Sequence, residues 1–410
     1  MQRSFHTLAS AMALTAIFVI ATAGPSVAAD YYVSWDHGSD ANQGLSPETA
    51  WRSLARVNRF PFHAGDRILL HSGEAWHEQL RPLTSGTPDQ PIVFSSYGTG
   101  ARPILEGSRG DGGATASRAS RMARKSSVGD VAIDNNDQSH IAYEGLELKH
   151  VLEGFRIYVW SATVRDITLR NCRIEVVKSV RDGPSSAAVS SAAVSSAAVY
   201  ANVRTGKIAD LRILGNHLVP YPHGLEHWGI YLVAGVEHFQ IDKNVVDAAG
   251  EDGITVWHAA YGEISHNQGG GNGENTIDVK DSHDIVIRDN AADLDREYNI
   301  VVHSVDDPDS TYNVRVDNNH CSRGGQGGEL SAGIALLFVQ KSGIENNTVD
   351  SAFGEGILIK DAGLNPGNWA SGNRLVGNGV QQKVPAIVLQ GSSTAKLLNN
   401  TIFAASEAPK

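Results

Sequence analysis

Six ionisable residues recur at regular spacing in the middle of the chain: Glu251 and Asp252, then Glu274, Asp278 and Lys280, then His303. A lysine beside a second potential cation has its charged form disfavoured, which lowers its pKa toward general-base range. Lys280, with His303 one repeat later, therefore suggests a base that abstracts the C5 proton of a uronic acid, with His303 protonating the leaving oxygen. Asp278 is the third catalytic candidate, since Asp252 and Asp278 could also serve as the carboxylate pair of a glycoside hydrolase. Glu251, Asp252, Glu274 and Asp278 are at the same time hard oxygen donors of the kind that Ca2+ gathers from neighbouring segments. Tyr158, Tyr200, Tyr231 and Trp257 could stack on sugar rings. Arg156 could pair a substrate carboxylate bidentately.

The element that must position these groups is written four times between Gly229 and His303: GIYLV from Gly229, GITVW from Gly253, TIDVK from Thr276 and NIVVH from Asn299. The steps between the four isoleucines are 24, 23 and 23 residues. A period in the low twenties with two alternating aliphatic positions is too short for a helix pair and suits one coil of a β-solenoid. Side chains of a strand alternate, so Ile230/Leu232, Ile254/Val256, Ile277/Val279 and Ile300/Val302 point inward, continued by Ile334/Leu336, Ile357/Ile359 and Ile387/Leu389. The same alternation sends Tyr231/Val233, Thr255/Trp257, Asp278/Lys280 and Val301/His303 outward, and Arg156, Tyr158 and Tyr200 join them.

The chain opens on Arg3 and His6, an apolar run from Ala11 to Ala23, and small residues up to Ala29. That is the pattern of a cleaved secretory signal, too short to span a membrane comfortably, which predicts an exported protein, secreted or periplasmic, without a membrane span. A net charge of −11 argues against nucleic acid as a partner. The only cysteines, Cys172 and Cys321, fall at least five coils apart, roughly 24 Å, beyond the ~7 Å reach of a disulfide. Two buried free thiols are expected.

Residues 30–106 read as a cap and first coils. Tyr31-Tyr32-Val33-Ser34 is a strand; Ser46 or Thr49 could cap a short helix on which Trp51, Leu54, Ala55 and Val57 share a face. Such a helix would plug the open first coil. This opening, continued by Gly65-Asp66-Arg67-Ile68-Leu69-Leu70 and by Gly86 to Val93, resembles that of right-handed parallel β-helix proteins of the pectate lyase superfamily. These include pectate lyases of polysaccharide lyase family nine and the chondroitinase B and alginate lyases of family six. The resemblance implies an all-β right-handed parallel β-helix over nearly the whole mature chain. Glu274 to Ser282 is similar to the family-six segment that carries the catalytic lysine, which implies Lys280 as base. Ala249 to Trp257 is similar to the acidic calcium-holding segment of family nine.

Residues 107–130 form a basic Gly/Ser/Arg stretch without core residues, and 131–410 carries the remaining coils. Ser-Ser-Ala-Ala-Val stands three times over at 185–199, as an inflated turn would. One asparagine marks each coil: Asn216, Asn244, Asn267, Asn290, Asn319, Asn347, Asn373 and Asn400. Stacked asparagines of this kind bond turn backbone and one another. The whole reading predicts a monomeric secreted lyase that cleaves an acidic polysaccharide, with calcium as the candidate cofactor. A hydrolase, a C5-epimerase or a non-catalytic glycan-binding protein on the same fold are the alternatives.

Overall fold

The chain folds as a right-handed parallel β-helix. The computed structural model describes residues 28–106, 131–176, 196–222, 227–326, 331–361, 367–391 and 394–404. Most of the expected leader, all of the basic segment 107–130 and residues 185–195 of the repeated insert lie outside the described residues. The third Ser-Ser-Ala-Ala-Val copy runs into a strand that begins at Ser196.

Eight successive strands carry the flank of interest: β1 (Glu153–Val159), β2 (Ser196–Val203), β3 (His227–Glu237), β4 (Ile254–Ser265), β5 (Ile277–Lys280), β6 (Tyr298–His303), β7 (Ala332–Leu337) and β8 (Glu355–Asp361). Each pairs in parallel with the next. The register sets Ile230 on Ile254, Ile277, Ile300, Ile334 and Ile357, all at most 1% exposed. A fully buried aliphatic side chain contributes about 1.5–3 kcal/mol, so this continuous file fixes register and holds the coils together. It fails at the end: Leu389, expected inside, is 39% exposed, because its coil has a neighbour on one side only among the described residues.

The asparagine row is the second axial device. In each coil from Asn216 to Asn373 the side-chain oxygen of the next asparagine accepts both the backbone N–H and the amide of the one before, as Asn267 receives Asn244 at 2.9 and 3.0 Å. The amide of Asn267 also reaches the Ile241 carbonyl at 2.9 Å. The N-terminal plug is α1 (Leu54–Val57), which buries Leu54 and Val57. Its cap is Ser53, whose hydroxyl accepts the Arg56 N–H at 3.0 Å, rather than Ser46 or Thr49. Cys172 and Cys321 are buried free thiols.

Candidate active-site groove

The outer face of the flank carries three files of side chains. In the first, Arg156, Tyr200, Tyr231, Thr255, Asp278 and Val301 succeed one another; in the second, Tyr158, Asn202, Val233, Trp257, Lys280 and His303. The four aromatic candidates therefore stand in two files and not in one column. The third file is what strict alternation hides. Trp228, Asp252, Asn275 and Tyr298 have the parity of the inward isoleucines, yet they face out, because the chain bends at the residue between. A Cβ on Gly229 would meet Val246 Cγ1 at 2.4 Å, so that position points inside and its predecessor is turned outward. Trp228 accordingly stacks on Tyr231 at 4.2 Å, and Asp252 bonds Thr255.

Asp252 and Asp278 share one cation. The Lys280 ammonium lies 2.8 Å from Asp278 Oδ2 and 4.0 Å from Asp252 Oδ2. His303 Nε2 stands 2.9 Å from the other oxygen of Asp278. Thr255 donates its hydroxyl to Asp252 Oδ2 at 2.7 Å, and Asn275 donates backbone and amide hydrogens to Oδ1 at 3.1 and 2.9 Å. The same network gives the two acids opposite characters. Burial and the charge of Asp278 push Asp252 well above the usual carboxylate range. Burial opposes the charge on Asp278 too, but His303 and Lys280 outweigh it and hold that carboxyl below its ordinary value.

Lys280 is not the depressed base that its sequence neighbours suggested. Burial does disfavour its charge, but Asp278 and Asp252 outweigh burial and raise its pKa. The physical reason is facing: His303 turns its imidazole to Asp278, so the lysine sees carboxylates instead of a second cation. Arg156 is likewise spoken for, with Nε on Asp134 at 3.0 Å and a terminal nitrogen on Glu153 at 3.2 Å.

Glu274 stands at the head of β5, stacked between Glu251 and Glu297 by backbone bonds of 2.9 and 3.0 Å. Partial burial, then Glu251 and Glu297, push its carboxyl up to about 7. Donor atoms of Glu251, Asp252 and Glu274 lie within 4.8 Å of one another. A second grouping, His258, Asp281 and Asp306, serves another purpose. Asp281 accepts Val305 N–H at 2.8 Å, the Ser310 hydroxyl at 2.7 Å and the Trp257 indole N–H at 2.9 Å, which clamps that ring at the groove edge. Upstream, Tyr200 lies 5.9 Å from Tyr231, and burial raises the Tyr231 phenol to about 12. Tyr158 packs on Trp160 at 4.8 Å. Downstream, Tyr298, Val301, Ala332, Ala335 and Leu358 make a small apolar patch on the same outer face.

Sequence reasoning missed Trp228 and Asn275 and gave Thr255, which it placed outward, no role; the glycine ahead of Ile230 and Ile254 was the signal for the first. The class that fold and groove define is a parallel β-helix protein with a carboxylate-lined outer groove. A family profile described as NosD, periplasmic copper-binding protein, matches residues 210–408. A lacto-N-biosidase of Bifidobacterium longum subsp. longum is 26% identical over 346 residues, 78% of this chain and 20% of its own length. An alpha-1,3-galactosidase A of Akkermansia muciniphila is 35% identical over 95 residues, 19% of this chain and 16% of its own. The chain thus spans a fifth or less of the curated relatives it matches. The solved GH136 lacto-N-biosidase from Eubacterium ramulus superposes with a TM-score of 0.61 at 19% identity, over 92% of this chain and 68% of that one, which is a likeness of fold. These relatives overturn the expectation of a lyase: the similarity runs to glycoside hydrolases. Among the described residues no helix is long and apolar enough to cross a membrane.

Proposed function

We propose that the protein is a glycoside hydrolase acting on an oligosaccharide or polysaccharide, with Glu274 as general acid and Asp278 as the ionised carboxylate. The observation that carries the reading is the split between these two groups: Glu274 is pushed up to about 7, while Asp278 is held below its ordinary value by His303 and Lys280. Two carboxyls driven apart by their surroundings are what protonation of a leaving oxygen and stabilisation or attack at the anomeric carbon demand. In this reading Lys280 and His303 orient Asp278, and Asp252, fully buried, tunes it through the shared ammonium. Both curated relatives bear the names of glycosidases.

The charge in the groove favours an uncharged glycan. Lys280 and His303 are committed to Asp278 and Arg156 to Asp134 and Glu153, whereas Glu251, Glu274 and Glu297 line the rim. A uronate would meet like charge. Tyr231 on β3 and Trp257 on β4 supply stacking surface on the coils ahead of Asp278, Tyr200 extends it, and Tyr158 marks its far end. The leader pattern of the first 29 residues supports export from the cytoplasm. A calcium ion at Glu251, Asp252 and Glu274 would have to displace the bonds that Thr255 and Asn275 already make to Asp252 and stand beside an ammonium. The donor set fits a calcium ion poorly.

The test is incubation with a panel of neutral and acidic oligosaccharides, with products read by mass spectrometry in heavy-oxygen water and by ultraviolet absorbance. Incorporation of one solvent oxygen into a new reducing end supports the reading. Products without solvent oxygen, or no cleavage of any neutral glycoside, refute it.

A further inference from the structure

Inside the coil, behind Glu274, a second polar row runs along the corner that leads into the strands. Ala249 donates its N–H to Asn272 Oδ1 at 2.9 Å, Asn272 to Asp295 Oδ1 at 3.2 Å, and further on Ala352 to Asn378 Oδ1 at 2.9 Å. Where other coils use asparagine, this one uses Asp295, which is fully buried. Its carboxyl accepts four side-chain or backbone donors. Oδ1 takes the Asn272 N–H and, at 2.8 Å, the Asn272 amide; Oδ2 takes the Thr276 hydroxyl and the Asn299 amide, both at 2.7 Å.

Asn272 and Thr276 are the two ends of the turn that carries Glu274 and Asn275, and Asn275 is the residue that holds Asp252. We propose that Asp295 is the positioning residue of the groove: by bridging Asn272 and Thr276 from the interior, its carboxyl sets where Glu274 and Asn275 stand, and its protonation is felt there. The role given to Glu274 rests on the hydrolase reading above; the bridge does not. Among the described residues no Lys, Arg or His pairs with Asp295, and the titratable group that feels its charge is the buried Cys321 thiol. Burial pushes Asp295 up to about 7 against the pull of its donors. With a proton on Oδ2 the Thr276 hydroxyl must reverse and accept it, or the Asn299 amide must turn away, and either change reorganises the end of the turn next to Asn275.

Asp295→Ala and Asp295→Asn are compared with the wild-type chain. Asp295→Ala is expected to move the Glu274 carboxyl titration, followed by difference infrared spectroscopy and assigned with Glu274→Gln, and to lower turnover about a hundredfold with little change in KM. Asp295→Asn keeps the acceptor for Asn272 but puts donors where Oδ2 accepts, so it should mimic the protonated carboxyl and recover both only in part. Because its folded pKa lies above the unfolded one, Asp295 favours folding most below its ordinary value of 3.8, and that contribution is lost as pH rises through about 7. The wild-type Tm should therefore fall relative to Asp295→Asn over that window. Should Asp295→Ala fail to fold, Thr276→Val cuts one end of the bridge and should shift the Glu274 titration in the same sense. An unmoved Glu274 titration overturns the positioning role, and a pH-independent Tm difference overturns the protonation link. If both hold while no glycoside is cleaved, the hydrolase reading falls and the bridge stands.

Discussion

Lys280 and Asp278, two residues apart on β5, form an ion pair of 2.8 Å whose lysine also reaches toward buried Asp252. The pair turns the lysine from a base into a fixed cation. Neutralising it strands two buried carboxyls, and breaking one side of a buried pair costs about 3–5 kcal/mol. Lys280→Met should lower the free energy of unfolding in urea by that order, and Lys280→Arg by much less. A loss within experimental error would mean that the acids do not depend on this ammonium.

Burial, Glu251 and Glu297 push Glu274 up to about 7, and a general acid, the role proposed for it, works only while protonated. Hydrolysis should therefore decline as pH rises through about 7, and Glu274→Gln should cut turnover by about 10²–10⁴ while erasing that limb. Retention of the same alkaline decline in Glu274→Gln would assign it to another group.

Asp278 works in the opposite direction. Its folded pKa lies below the ordinary 3.8, so the stability it adds is present above that value and is lost as pH falls through the lower folded pKa. In acid titrations followed by circular dichroism, Asp278→Asn should unfold with a shallower pH dependence below 3.8. An unchanged acid transition would show that His303 and Lys280 do not hold the charge.

Much of this was legible from spacing. The 24, 23 and 23-residue steps gave the coil, the inward isoleucines and the outward file of Tyr231, Thr255 and Asp278, because a solenoid turns one sequence period into one axial layer. The asparagine row could be read for the same reason. Facing within a layer could not. Whether His303 turns to Lys280 or to Asp278 depends on rotamers, and that choice reversed the pKa of Lys280. Strict alternation would give Trp228 and Asp252 the inward parity of Ile230 and Ile254, and the bends at Gly229 and Gly253 undo it. Nothing in the spacing singles out Asp295; the corner row places it inside.

The asparagine row invites a stability test that is independent of function. Asn267 makes four buried bonds, two through its oxygen to Asn244 and two through its amide to Ile241 and Asn290. Asn267→Ala leaves partners on the two neighbouring coils unsatisfied, at about 1–3 kcal/mol for each stranded group. Asn267→Asp should be worse, since an acceptor then faces the Ile241 carbonyl and the Asn290 oxygen. Thermal unfolding of the two variants should rank them in that order, and equal Tm values would deny the row its axial role.

Calcium and Lys280 are rival sources of positive charge for the same carboxylates, and metal removal separates them. With the ammonium 4.0 Å from Asp252 and two donors already on its other oxygen, the wild type is expected to need no divalent ion. Activity and Tm should then be unchanged by EDTA followed by gel filtration, and added Ca2+ should not raise the Tm. The comparison sharpens in Lys280→Met, where the cation is gone and Glu251, Asp252 and Glu274 are left as a bare oxygen set. If calcium stabilises that variant but not the wild type, the lysine is holding the place that an ion takes in other carboxylate clusters. Loss of wild-type activity on chelation, restored by Ca2+, would reverse the assignment and make Lys280 the second cation of a metal site.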